Sequence, residues 1–177
     1  MKKLIYLFLG CALMTSISCS SDDDSSSDNN NSAENGVVKA KIDGTSYAST
    51  PMGTQASRVD ANGGTTVVIT SNDLASGRNL TFTMNTLDGL GTYDIGGDNS
   101  IFIVVSYIET DASDLNNVDV QTWSAPFEGG EKAGEVTLTE LSDTKVMGTF
   151  YFTGKNSENG SSKEITEGSF NIDLTAY

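Results

Sequence analysis

Histidine is absent from this 177-residue sequence, and its two cysteines, Cys11 and Cys19, both fall within the first 19 positions. Everything after Cys19 therefore lacks both thiol and imidazole. That excludes disulfide scaffolding, Cys/His zinc sites, histidine-based nucleophile triads and thiol nucleophiles from the folded part. Any catalysis there would rest on carboxylates, Lys, Tyr, Ser or Thr. Cations are scarce as well: 10 Lys and Arg stand against 24 Asp and Glu, for a formal charge of −14. So acidic a chain repels nucleic-acid phosphates and anionic lipid headgroups, which argues against a nucleic-acid partner and against electrostatic docking on a membrane. Solubility at an exposed surface accounts for the charge. Proline occurs only twice. No stretch carries a sustained 3.6-residue apolar stripe, and Glu109–Asn117 is the best place for a short helix. The glycine-bearing turns match neither the Walker nor the dinucleotide fingerprint, so no cofactor is expected.

What is present begins with an address. Met1-Lys2-Lys3 is a short positive start, and Leu4–Met14 is an apolar run of signal-peptide length, too short to span a bilayer. Thr15-Ser16-Ile17-Ser18-Cys19 follows. Small residues before a cysteine, directly after such a run, resemble the lipobox of bacterial lipoproteins. That resemblance implies a diacylglyceryl group on the Cys19 thiol, removal of residues 1–18 as a signal peptide, and acylation of the new amino terminus. Acyl chains bury methylenes at about 0.8 kcal/mol each, so two or three hold firmly. Ser16 stands where that pattern usually has a large aliphatic residue. Cys11, preceded by Leu9-Gly10, is a competing position behind a shorter apolar run, and cleavage by an ordinary signal peptidase near Ser18, leaving a free thiol and a secreted chain, is the other alternative. Removal of residues 1–18 takes away Lys2 and Lys3 and no acid, which lowers the charge by 2, to −16.

Residues 19–35 form a second segment. After Cys19 the chain reads SSDDDSSSDNNNSAENG, with Ala33 its one apolar residue. Such a stretch cannot bury enough surface to offset chain entropy, so it is expected to be a disordered spacer. Its opening Ser-Ser-Asp-Asp-Asp resembles the acidic export tag of surface lipoproteins of the Bacteroidota, which implies display on the outer face of the outer membrane.

Residues 36–177 form the third segment, about 140 residues, enough for one domain with a single core. Val38, Ala40 and Ile42 alternate with mostly polar neighbours. So do Leu80, Phe82 and Met84, then Val136 and Leu138, then Val146, Gly148, Phe150 and Phe152, and finally Phe170, Ile172 and Leu174. A period of two puts one side-chain set in a core and the other in water. Turn signals separate the runs, and Asp43-Gly44 between VVKAKI and TSYAST is a strong two-residue hairpin signal. About nine or ten strands joined by short turns predict a single all-β domain, an antiparallel β-sandwich or β-barrel. Ile101–Ile108 is apolar on both faces and reads as a central strand covered on both sides.

The C-terminal third carries the most specific pattern: Gly148-Thr149-Phe150-Tyr151-Phe152-Thr153, then Ile165-Thr166-Glu167-Gly168-Ser169-Phe170-Asn171-Ile172. With Lys41-Ile42-Asp43-Gly44 and Gly91-Thr92-Tyr93, this resembles a Bacteroidota lipoprotein family of unknown function over roughly residues 37–177. The resemblance implies an all-β fold and an envelope location and supplies no catalytic residues. Phe150, Phe152 and Phe170 are expected in the core, with Gly148 and Gly168 allowing tight backbone at strand ends.

Two clusters are candidate sites. Trp123, close to Phe127, could join Tyr107 or Tyr93 in an aromatic platform for a sugar ring; a lone Trp in a β-sandwich is more often packing. Asp111, Asp114 and Asp119, with Asn116 and Asn117, lie in one loop and offer the oxygen ligands that Ca²⁺ takes. Their spacing is not that of the helix–loop–helix site and the closing Glu is missing, so a polar surface loop is the better reading. The sequence thus predicts a non-catalytic lipoprotein, held at the membrane by its lipid, that serves as a structural, accessory or interaction module. The alternative is a glycan- or small-ligand-binding module built on Trp123. A carboxylate hydrolase is third, since no local signature singles out a pair of acids.

Overall fold

The computed structural model describes residues 32–61, 63–98, 102–127 and 130–176. The expected signal peptide, Cys19 and nearly all of the spacer lie outside the described residues. Eleven strands follow in order: β1 (Val37–Ile42), β2 (Thr45–Ala48), β3 (Thr54–Ala61), β4 (Gly64–Asp73), β5 (Arg78–Leu87), β6 (Gly91–Gly96), β7 (Ile103–Asp111), β8 (Asp119–Ala125), β9 (Lys132–Leu141), β10 (Lys145–Lys155) and β11 (Ser162–Ala176). One 3-10 turn, Pro51–Gly53, precedes β3. Among the described residues no helix is long and apolar enough to cross a membrane.

Following the pairings from β11 through β3, β4, β5, β7 and β8 to β10, and back to β11, completes a ring of seven strands. The ring is closed strongly on one side by the long β10–β11 ladder. It is closed weakly at two corners. At one, β11 runs parallel to β3 over Leu174–Ala176. At the other, β8 meets β10 at the single pair Ser124–Lys155. The β1–β2 hairpin extends from β11, and β9 with β6 extends from β10. The result is a flattened barrel, and the β3–β11 contact makes its sheet mixed rather than purely antiparallel.

Alternation explains the core. Ala56, Ile69, Phe82, Val105 and Ala125 stand side by side across β3, β4, β5, β7 and β8, and all are buried. Phe150 and Phe170 meet this row from the opposite wall, with ring centroids 4.7 and 6.1 Å from that of Phe82. Gly148 lies opposite Phe170 and Gly168 opposite Phe150 in the β10–β11 ladder. A β-carbon on Gly148 would come within 2.6 Å of the Phe170 ring, and one on Gly168 within 2.5 Å of the Phe150 ring. These glycines sit inside strands, not at strand ends as the sequence suggests, and each makes room for the facing phenyl ring. Asp43 and Gly44 have φ of 47° and 79°, the double left-handed turn of a tight hairpin, so that reading of the sequence holds.

Three expectations need correction. Strands number eleven among the described residues, one or two more than the alternation suggests. Glu109–Asp111 complete β7 and the residues after them form turns, so no helix forms there. In β7, Ile103, Val105 and Tyr107 are buried while Val104, Ser106 and Ile108 are half-exposed, so the strand is covered on one face only.

The turns sort to two ends. Gly36 N–H donates to Asn171 O (2.7 Å), Leu174 N–H to Thr144 O (2.8 Å), and Arg58 pairs with Asp143 (3.1 Å). This is the end where the chain enters the fold. At the other end Glu164 N–H donates to Asp43 Oδ1 (2.9 Å), Thr110 N–H to Gly77 O (3.2 Å), and Trp123 Nε1–H to Ser161 Oγ (2.9 Å).

Candidate functional site

Trp123 and Tyr107 stand opposite each other on β8 and β7, and their rings stack with centroids 5.8 Å apart. They are 5% and 0% exposed. Tyr107 Oη–H donates to Glu109 Oε1 (2.7 Å). Lys163 Nζ lies 5.1 Å over the Trp123 ring and bridges Asp43 (3.2 Å) and Glu109 (3.4 Å). Arg78 continues this layer, 5.6 Å over the Tyr47 ring and 2.9 Å from Asp73. The assembly is a charged lid over an aromatic layer, with no ring face open to solvent for a sugar. Tyr93 is on β6, outside the ring of seven strands, and buried, its one hydroxyl proton shared between Asp88 Oδ1 (2.8 Å) and Gly89 O (2.7 Å). The expected platform of Trp123, Tyr107 and Tyr93 is therefore not formed: burying the large rings wins over exposing them.

The three aspartates do not converge either. Asp111 accepts from Ser113 N–H (2.9 Å), Asp114 from Asn116 N–H (3.0 Å) and Asp119 from Gln121 Nε2–H (3.0 Å). No group of three such ligands gathers among the described residues. Each carboxylate caps its own turn or neighbour instead. Asp111 and Asp119 are directly opposed across β7 and β8. Like charges so placed repel, so Asp119→Thr is expected to stabilise the domain by roughly 0.2–1 kcal/mol in urea titrations.

The lid gives the fold a pH signature. Ser76 and then Arg78 hold the Asp73 carboxyl below its ordinary 3.8. The Glu164 N–H and then Lys163 do the same for Asp43. Depressed folded values contribute stability above pH 3.8 that is lost as pH falls through those lower values. Burial pushes Tyr47 from 10 up to about 12. Desolvation opposes the charge on Lys163, yet Asp43 and Glu109 outweigh it and raise its value. Raised values contribute stability that is intact below pH 10 and lost as pH climbs through them. Urea midpoints should therefore fall below pH 3.8 and above pH 10, and Asp73→Asn should flatten the acid limb.

The concave feature that remains lies at the weak corner between β8 and β10. Inward Trp123 and Ala125 leave Thr122 and Ser124 on the outer face of β8. Gly154 lets the strands touch: a β-carbon there would stand 3.0 Å from the Trp123 backbone. Beyond Lys155 the chain turns away through Asn156–Ser161. The buried Asn156 side chain organises that turn, donating to Gln121 Oε1 (2.9 Å) and accepting from the N–H groups of Glu158 (2.8 Å) and Asn159 (3.3 Å). The strands' divergence leaves a cleft of about 690 Å³ lined by Thr122, Ser124, Pro126, Phe127, Lys155, Asn156, Ser157 and Gly160. A shallower hollow of about 210 Å³, bearing Gly96, Phe102 and Ile103, adjoins it across Pro126 and Phe127.

Lys155 Nζ lies 5.8 Å over the Phe127 ring. Lys39, Lys41, Arg58, Arg78, Lys132 and Lys163 all form ion pairs. Lys145 and Lys155 form none among the described residues. A second cleft of about 520 Å³ at the entry end contains Arg58, whose charge is already met by Asp60 and Asp143. Only Phe127 of the larger cleft stands out in the sequence. Thr122 and Ser124 are found from the outward parity of β8 once Trp123 is placed inside.

Residues 34–172 match the family described as "Domain of unknown function (DUF6252)", so the chain belongs to that family. Among curated proteins none matches. Among solved structures, the crystal structure of amphioxus green fluorescent protein, GFPA1, is 12% identical over 68% of this chain and 81% of that one, with a TM-score of 0.15. At that score the two backbones do not superpose as one fold, so the likeness bears on neither fold nor function.

Proposed function

We propose that this chain is a bacterial envelope lipoprotein, anchored through acyl groups on Cys19 and displayed on the outer face of the outer membrane, and that its β domain is a non-catalytic interaction module. The observation that carries the reading is the join between address and fold. The signal-peptide pattern ends at Cys19, the polar segment follows, and the domain begins at one end of the barrel, where Ala33–Val37 lie against β11. Held from that end, the barrel turns Asp43–Gly44, Leu74–Gly77, the turns between β7 and β8, and Asn156–Ser161 away from the attachment point. The principal cleft opens beside the last of these. Its described lining offers hydroxyls, an amide, a ring and an ammonium group and no carboxylate, a set suited to binding rather than to acid–base hydrolysis.

Protease shaving of intact cells, followed by fractionation, tests the display. The chain is expected in the outer-membrane fraction and to be cut on unbroken cells. Recovery from the culture medium, or full protection until the cells are lysed, would contradict it.

A further inference from the structure

We propose that the cleft between β8 and the Asn156–Ser161 turn binds an acidic saccharide, a pyranose that carries a carboxylate. The inference rests on reading the domain as a binding module and is independent of the lipid anchor. Three features of the cleft converge on this ligand. Its walls carry the hydroxyls of Thr122 and Ser157, each able to donate or accept, and that of Ser124, which shares a hydrogen bond with Ser106 Oγ (2.9 Å). Such walls suit a ligand whose rim offers both. Pro126 and the part of the Phe127 ring that Lys155 does not cover give an apolar surface, which suits the C–H face of a sugar ring. Lys155 adds an ammonium with no carboxylate partner among the described residues, over that ring.

The competing effect is the charge of the whole chain, which repels anions. Salt screens that diffuse field over about 8 Å at physiological ionic strength, whereas a carboxylate against Lys155 is in contact and partly desolvated. None of the described residues that line the cleft is an acid, which favours the local attraction. The Asn156 amide donates one N–H to Gln121 and its oxygen accepts from the N–H groups of Glu158 and Asn159, so it shapes the wall of the cleft. The volume of about 690 Å³ lies inside the roughly 300–1,000 Å³ typical of small-molecule sites. A plain anion would use Lys155 and the hydroxyls but not the ring, and a neutral sugar the ring and hydroxyls but not the charge; the acidic saccharide uses all three.

Ligand-observed saturation-transfer NMR on the mature chain in detergent micelles tests this, with galacturonate, galactose and acetate as separate probes. Galacturonate is expected to give the strongest transfer, galactose less, and acetate none above a micelle control. Lys155→Gln should weaken galacturonate about ten-fold, to the level of galactose, while Lys145→Gln leaves it unchanged. Phe127→Ala should remove both sugars, with near-ultraviolet circular dichroism confirming that each variant is folded. Absence of transfer at millimolar galacturonate overturns the proposal. So does transfer that survives both cleft substitutions, or acetate matching galacturonate. Membrane fractionation of the same variants reads the anchor separately, so failure of one reading is distinguishable from failure of the other.

Discussion

Phe150→Ala is expected to remove about 3–5 kcal/mol of folding free energy, the usual cost of truncating a buried phenylalanine and leaving a cavity. Phe150 sits in a cluster with Phe82, Phe152 and Phe170, edge-on to the first and stacked on the last at 6.1 Å. The ring lies over Gly168 between two ladders, so its truncation leaves a cavity there. A single domain has only about 5–15 kcal/mol in hand, so the variant stands near the unfolding threshold. The complementary change is informative. Gly168→Ala pushes a methyl group into the Phe150 ring and should cost about 1–3 kcal/mol by overpacking. Gly168→Ala combined with Phe150→Leu should be less unstable than the two singles added together, since the smaller side chain vacates the clash. Urea unfolding of the four proteins checks both claims; strict additivity would show that the ring and the glycine are not in contact.

Cys19→Ala should abolish labelled-palmitate incorporation and move the protein from the membrane to the soluble fraction. Two terms decide where the chain resides. A chain of charge −16 after cleavage gains nothing from anionic lipid headgroups. Acyl chains contribute about 0.8 kcal/mol per buried methylene, and stable attachment takes two of them. Without the thiol neither chain can be fixed in place, and no described helix could substitute by crossing the bilayer. Cys11→Ala serves as the control and should retain full labelling. Equal labelling of wild type and Cys19→Ala would end the anchor reading.

Period-two patterning located most of the core. Val38, Phe82, Val136, Phe152 and Ile172 all face inward as their alternation implies. Where it failed, the reason is physical. In β8 the parity is ambiguous: Val120 is 53% exposed while Trp123 and Ala125 are buried, so apolar identity alone points both ways. Only pairing with β7, which sets Trp123 against Tyr107, decides it. The roles of Gly148 and Gly168 were hidden for a similar reason, since the rings they accommodate belong to the partner strand. The cleft was the least legible feature. It arises because β8 and β10, some thirty residues apart, share one residue pair and then diverge. No local motif records where two strands part. Nothing local in the sequence marks Lys155 and Asn156 before the corner is built.

The central claim is a covalent one, and the mass of the amino-terminal peptide of the chain purified from native membranes tests it most directly. The account predicts a peptide that begins at Cys19 and carries the added mass of a diacylglyceryl group. A peptide beginning at Cys19 or any neighbouring residue with no added lipid mass would contradict it.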